Sequence, residues 1–423
     1  MTENRRALGT PTLSALVIAN MIGAGVFTTS GFALADLGSP DLVMLAWVAG
    51  GVMAILGALC YGALAARWTE SGGEYLFLTR TLHPFLGFLA GWVSLWAGFT
   101  GAIAFAAEAT QTYCAPWLPE SLAPDFVGTF VLLAIGALHA TGLGPAKWIQ
   151  NLAVSAKLLL LIALVAIGWS QLPERPESPA ASFESGSFAI TLMWVSLSYS
   201  GWNAAVYIAG EARDPKRTLP RALIIGTVVV TALYLALNWI FVYAAPIEQL
   251  AGQQDIAAVA ANALGGPALE SMVRVILVIA LCTSISSMVM IGPRVVAKMA
   301  DDGVFPRQFV FTGRVPRASI WLQVILAIVV LWASDLRAQL TNLGWILSLF
   351  TGLSVYGLIR MRMREGAERV PIPAYPFVPF AFLAIVIAMT TTMVWVNSAL
   401  IWPSLAVLAS GALVYGWQRR SHR

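Results

Sequence analysis

Apolar runs of about 20 residues recur along the whole chain, and each is long enough to cross the hydrocarbon core of a bilayer as a helix. That repetition leaves few folds open. Inside a membrane every backbone N–H and C=O needs a partner within the protein, so spanning segments are helices or closed barrels, and runs of this length fit helices. Composition agrees, with 58% of the 423 residues hydrophobic and 11% charged. Spans are expected at 12–35, 42–66, 84–113, 126–142, 147–169, 187–210, 222–245, 270–296, 318–335, 341–360, 374–396 and 400–418. The fold class is therefore an all-α membrane protein with twelve transmembrane helices. No separate soluble domain is expected. The first span lacks a cationic leader with a small-residue cleavage site, so it reads as a retained helix.

The net charge of +4 does not point to nucleic acid, because the basic residues sit in short loops between apolar runs. Of the 25 lysines and arginines, 21 fall on the side of the N-terminus; Arg175 and Arg337 fall in the opposite loops, and Lys157 and Arg274 within or at the edge of spans. The positive-inside rule then puts both termini in the cytoplasm. Cys60, Cys114 and Cys282 are too few and too scattered for a disulfide framework or a metal site. There is no phosphate-binding loop, no metal-spaced His and Cys set and no nucleophile with a base at recognisable spacing. An enzyme, a cofactor and ATP-driven transport are thus not expected.

Two spans are interrupted. Asn20-Met21-Ile22-Gly23-Ala24-Gly25-Val26-Phe27 places two glycines in the middle of the first, and Leu197-Ser198-Tyr199-Ser200-Gly201-Trp202-Asn203 places small and polar residues in the middle of the sixth. A break at membrane depth survives only where protein buries it or where it lines a cavity. Glycines also serve close helix packing, so Gly23-Ala24-Gly25 alone has a purely structural reading. Breaks five spans apart, however, suggest a five-helix unit used twice with inverted topology, over 1–169 and 187–360, with 374–418 added. Half-helix N-termini suit a carboxylate and unwound carbonyls suit an ammonium group. An α-amino acid carries both.

These segments, with Ser71-Gly72-Gly73-Glu74-Tyr75, Gly91-Trp92, Gly210-Glu211, Asp214-Pro215-Lys216-Arg217-Thr218-Leu219-Pro220, Pro293-Arg294 and Met299-Ala300-Asp301-Asp302-Gly303-Val304-Phe305-Pro306, resemble the amino acid–polyamine–organocation permeases. The likeness is nearest to the L-type and cationic amino-acid branch and runs through nearly the whole chain. It implies a LeuT-like 5+5 inverted repeat with broken helices 1 and 6 plus two extra C-terminal helices. It also implies a carboxylate site at the amides of Gly23, Ala24 and Gly25 beside Ile22, and an ammonium site at the carbonyls of Met21, Leu197 and Ser200. Ser198, Gly201, Trp202 and Asn203 complete the expected binding set. Ala24 departs from the serine common among relatives, and Leu197 from an aromatic gate.

Lys157 lies ten residues, roughly 15 Å, along a helix from the basic end at Lys147. An intramembrane lysine is costly, by about 2.5–3.5 kcal/mol on insertion scales, and needs a partner or a task. The structural reading is an amine satisfied by nearby carbonyls. The resemblance implies a lysine pointing toward the first and eighth spans in place of a sodium ion, with Thr283, Ser284, Ser286 and Ser287 as oxygen partners. A proton carrier and a permanent cation both remain open, and both dispense with sodium.

Glu108 is a candidate vestibule or specificity carboxylate. Glu74 and Glu211, near Arg80, Arg213 and Arg217, are candidates for an inner salt-bridge gate. Asn203 in place of a carboxylate favours neutral L-amino acids, with cationic amino acids or polyamines as the alternative, and protons as a candidate coupling ion. A channel and a non-transporting sensor are the rivals; short tails leave little room for an output domain. Cys114 stands where animal L-type chains carry the cysteine that joins a heavy subunit, but no heavy subunit is expected here. Membrane lipid is the expected surrounding, in a bacterial inner membrane.

Overall fold

Residues 8–119, 122, 125–141, 147–173, 183–310, 315–333, 335–396 and 402–421 are described by the computed structural model. Arg5, Arg6, Arg175, Arg314, Arg423 and His422 lie outside them. Among the described residues the chain is helical, and extended pairing is confined to a bridge between Leu8 and Ala212. Among these residues, eight helices or helix runs are long and apolar enough to cross a membrane, and the shorter helices Asp125–Ala140, Ser185–Ser198 and Arg317–Ala333 are also apolar.

The first apolar run is two helices, α1 (Thr10–Met21) and α2 (Gly25–Leu37), separated by the glycine segment. Helix α2 ends at Gly38, whose φ of +60° is the left-handed cap that glycine allows without strain, and Ser39 then accepts from the amide of Leu42 to start α3 (Pro40–Arg67). A short buried helix, α4 (Gly73–Thr81), leads to α5 (Pro84–Val93) and α6 (Ala102–Cys114). Between these two, residues Ser94–Gly101 form a π-helical segment that the sequence did not announce. Its small residues Ala97, Gly98 and Gly101 leave room for the wider turn.

Helices α7 (Asp125–Ala140) and α8 (Lys147–Gln171) precede α9 (Ser185–Ser198). The sixth expected span does not resume as an α-helix after its break: residues Ala204–Glu211 form short 3₁₀ turns interrupted at Ile208 (φ −121°, ψ 22°). After α10 (Pro215–Tyr243) and the one-turn α11 (Ile247–Leu250), α12 covers Ile256–Ile291 as two helical stretches, the second of which starts at about Pro267, close to the expected residue 270. It is kinked at Gly265 and Gly266, the second at φ +70°, just before Pro267. The helices α13 (Pro293–Asp301), α14 (Arg317–Ala333), α15 (Leu336–Glu365), α16 (Phe377–Val396) and α17 (Trp402–Ser421) complete the chain.

Packing places the two broken runs at the centre. Helix α1 lies against α10 and α8, while α2 lies against α9, which in turn contacts α3 and α15. Polar side chains inside the apolar core bind one another: Trp47 Nε1 donates to Ser30 Oγ at 2.8 Å, Ser30 Oγ to Asn238 Oδ1 at 2.6 Å, and Asn238 Nδ2 to the Tyr234 carbonyl at 2.9 Å. Each would be expensive to bury without such a partner.

One close approach fixes α2 from outside. The Gly252 amide donates to the Gly31 carbonyl at 2.7 Å, and a Cβ on Gly31 would lie 1.9 Å from the Gln253 carbonyl oxygen. Gly31→Ala is therefore expected to cost at least about 1–3 kcal/mol, seen as a lower melting temperature in detergent. Gly38→Asn, at a left-handed position with nothing within 4 Å, should leave that temperature nearly unchanged.

Candidate functional site

The glycine break of the first run is held open by specific bonds. Ile22 (φ −73°, ψ 82°) makes a tight turn in which the Gly23 amide donates to the Met21 carbonyl at 2.8 Å. The same Met21 carbonyl accepts from the Tyr234 hydroxyl at 2.5 Å. The Ile22 carbonyl accepts from Lys157 Nζ at 2.5 Å and from Ser284 Oγ at 3.0 Å. Both carbonyls released by unwinding are thus doubly occupied by protein, while Ala24, Gly25 and Val26 open α2 with N–H groups that have no intrahelical acceptor.

The sixth run meets this break directly. Gly201, at φ +102°, sits so close to Asn20 that a Cβ there would lie 2.8 Å from the Asn20 carbonyl carbon and oxygen. Gly25 abuts Ser198 in the same way, and Ser198 Oγ bonds Thr29 Oγ1 at 2.8 Å. Between the two breaks lies a cavity. Its wall includes Asn20, Met21, Gly23, Ala24 and Gly25 from the first run, Ser196 to Ala204 from the sixth, Ser94, Gly98 and Phe99 from the π-helical segment, and Leu343, Gly344, Leu347 and Ser348 from α15. Glu74 and Tyr207 also line it. The cavity combines helix-end N–H groups, unwound backbone and apolar side chains, the usual make-up of a small-molecule site.

Both ends of the broken runs are tied. On one side Arg337 pairs with Asp36 at 2.5 Å and lies over the ring of Trp194 at 5.1 Å and of Phe32 at 5.9 Å. On the other, the Leu8 amide donates to the Glu211 carbonyl at 3.1 Å and the Arg213 amide to the Leu8 carbonyl at 2.9 Å. Glu211 also pairs with Arg294 at 2.9 Å. Beside it Tyr75 donates to Asp302 at 2.8 Å; burial first, and the bond to Asp302 second, hold its phenol well above the ordinary value, so it stays a donor.

The family model described as amino acid permease matches residues 8–416, nearly the entire chain. The chain belongs to the amino acid permease family. The chain is similar to the human large neutral amino acids transporter small subunit 2, at 23% identity over 97% of this chain and 80% of that protein. It is also similar to the serine/threonine exchanger SteT of Bacillus subtilis, at 24% identity over 87% of this chain and 86% of the relative. A third relative is the human b(0,+)-type amino acid transporter 1, at 24% identity over 89% and 80%. The permease is thus an integral membrane transporter of amino acids.

Several expected roles take a different form in the permease. Ile22 does not line the cavity, because its carbonyl faces Lys157 and Ser284 behind the break. The Met21 carbonyl is filled by Tyr234 and Gly23, and the Leu197 carbonyl accepts from the Ser200 amide at 2.8 Å, so neither matches the expected free ammonium acceptor. The Gly23 amide is likewise spent on Met21. Ser286 Oγ bonds His139 Nε2 and Ser287 Oγ accepts from Asn20 Nδ2, both at 2.8 Å, so these serines serve α7 and α1 rather than Lys157. Thr283 donates to its own helix at Ala280, leaving Ser284 as the serine that shares an acceptor with the lysine.

The acidic candidates also move. Glu108 is not in the cavity wall; it accepts from the Leu336 amide at 3.1 Å and Gln339 Nε2 at 2.9 Å, which places a carboxylate at the positive end of α15. Glu74 makes no inner salt bridge with Arg80, which pairs with Glu70. It is 4% exposed and accepts from Asn203 Nδ2 and the Tyr207 hydroxyl. Glu211 pairs with Arg294 instead of Arg213 or Arg217. Tyr234, the π-helical turn and Tyr207 were not anticipated; the signal for Tyr234 was a tyrosine hydroxyl deep in an apolar run, which needs an acceptor.

The glycines separate packing from ligand space. A Cβ on Gly25 would lie 2.4 Å from Ser198 Oγ and 2.7 Å from Ser198 Cα, whereas one on Gly23 meets nothing closer than 3.8 Å. Gly25→Ala should destabilise the permease by about 1–3 kcal/mol in a detergent melting assay, and Gly23→Ala should melt close to wild type.

Proposed function

We propose that the chain is a sodium-independent amino acid transporter that works by alternating access, with the α-carboxylate on the amides of Ala24 and Gly25 and the α-ammonium on carbonyls at the end of α9. Ser196, Ser198 and the expected Ser200 are the best acceptors there, since the Leu197 carbonyl is already used. The observation that carries this reading is the Lys157 bond. Lys157 is 2% exposed, and its Nζ reaches the Ile22 carbonyl at 2.5 Å and converges there with Ser284 of α12. A lysine amine thereby supplies, between the fifth, first and eighth runs, the attraction for unwound carbonyls that a sodium ion would otherwise provide.

In this reading the chain has twelve spans arranged as two inverted five-span units over 1–169 and 187–360, with 374–418 outside the repeat and both termini cytoplasmic in a bacterial inner membrane. Support comes from the two breaks, which open α2 and close α9 face to face, and from the distribution of basic residues. The names of the relatives, covering large neutral amino acids, serine and threonine, and the b(0,+) type, favour α-amino acids over polyamines. A non-transporting sensor on the same fold would bind ligand in the same place and move none.

Reconstitution into liposomes with a panel of labelled amino acids, sodium replaced by choline, tests the proposal. Uptake should persist at its sodium rate, and Lys157→Met should lower it at least about tenfold because the Ile22 carbonyl then loses its charged donor. Uptake that stops in choline overturns sodium independence, and binding without uptake selects the sensor.

A further inference from the structure

Among the described residues, Glu74 is the one acidic side chain in the cavity wall. It comes from α4, outside the two broken runs, and is nearly inaccessible at 4%. Its Oε1 accepts from Asn203 Nδ2 at 2.5 Å and its Oε2 from the Tyr207 hydroxyl. Both donors are neutral. Both carboxylate oxygens are thus engaged as acceptors, and a buried carboxylate is costly unless a cation joins it.

The nearby bases are committed elsewhere. Arg80 of α4 lies 3.8 Å from Glu70, Lys298 of α13 lies 2.7 Å from Asp302, and Arg294 lies 2.9 Å from Glu211. Among the described residues no lysine, arginine or histidine nitrogen comes within 4.0 Å of the Glu74 carboxylate. Gly73, at φ +56°, brings α4 against the ring of Tyr207, where a Cβ would lie 2.2 Å away, so the backbone itself holds the carboxylate at the wall. The cavity therefore has a carboxylate apart from the amides of Ala24 and Gly25, with no cationic side chain of the described residues within 4.0 Å of it.

We propose that Glu74, oriented by Asn203 and Tyr207, is the side-chain subsite of the cavity and takes α-amino acids whose side chains end in a cation. This deepens the amino acid reading above and rests on it. Asn203 is then a positioning residue for a carboxylate. Its presence at the sixth-run position does not by itself make the cavity neutral, as the sequence suggested.

L-lysine and L-norleucine differ at the side-chain end by the ammonium group, which makes them the test pair. In proteoliposomes, wild type should favour lysine, and Glu74→Gln should lower the ratio of kcat/KM for lysine over norleucine by roughly tenfold or more, as expected when a site loses the group that pairs a buried charge. Competition against uptake of a labelled neutral amino acid by wild type needs no variant: lysine should inhibit at lower concentration than norleucine. Norleucine as the better competitor, or an unchanged ratio in Glu74→Gln, overturns the proposal while leaving amino acid transport intact. Uptake of norleucine driven by an inward proton gradient, lost in Glu74→Gln with no lysine uptake in wild type, also overturns it, since the cation met by Glu74 is then a proton. Uptake of no amino acid at all would instead count against the transporter reading.

Discussion

The Ile22 carbonyl is the point on which the arrangement turns. Unwinding a helix in the middle of a bilayer frees carbonyls and amides that lipid cannot satisfy. The permease satisfies this carbonyl with two groups from distant runs, Lys157 at 2.5 Å and Ser284 at 3.0 Å, and its neighbour at Met21 with Tyr234 and Gly23. The acceptors of the break face protein. Ala24 and Gly25, at the start of α2, line the cavity. A single unwound segment is thereby polarised, and its open side suits an anion.

The sixth run supplies the opposite polarity. Helix α9 ends at Ser198 and the chain then turns through Gly201, whose left-handed φ of +102° lets it lie on Asn20. Donor and acceptor ends are held face to face by contacts that a methyl group would disturb. For alternating access, the Asp36–Arg337 pair beside Trp194 and the Leu8–Ala212 bridge are the ties at the two ends of the broken runs. Their opening would have to be mutually exclusive.

Much of this was legible in the sequence because it depends on residue types with few alternatives. The two breaks, their glycines and the buried lysine follow from backbone polarity and from the expense of charge in hydrocarbon. Partners of the polar side chains were less legible. Ser284, Ser286 and Ser287 occupy one short stretch, yet helical geometry sends Ser284 to Ile22, Ser286 to His139 and Ser287 to Asn20. Glu108 reads in the sequence as a vestibule or specificity carboxylate and Glu74 as part of an inner salt-bridge gate; tertiary packing turns the first into a cap on α15 and the second into cavity wall. The π-helical turn at Ser94–Gly101 left only a run of small residues as its trace.

The central claim is that backbone groups of the two breaks read both charges of an α-amino acid. Competition for uptake by a transported amino acid, its N-acetyl derivative and its methyl ester tests this most directly. Removal of either charge should raise the half-inhibitory concentration at least about a hundredfold, because each leaves a set of buried partners unpaired. A methyl ester or N-acetyl derivative that competes as well as the parent amino acid would contradict the account.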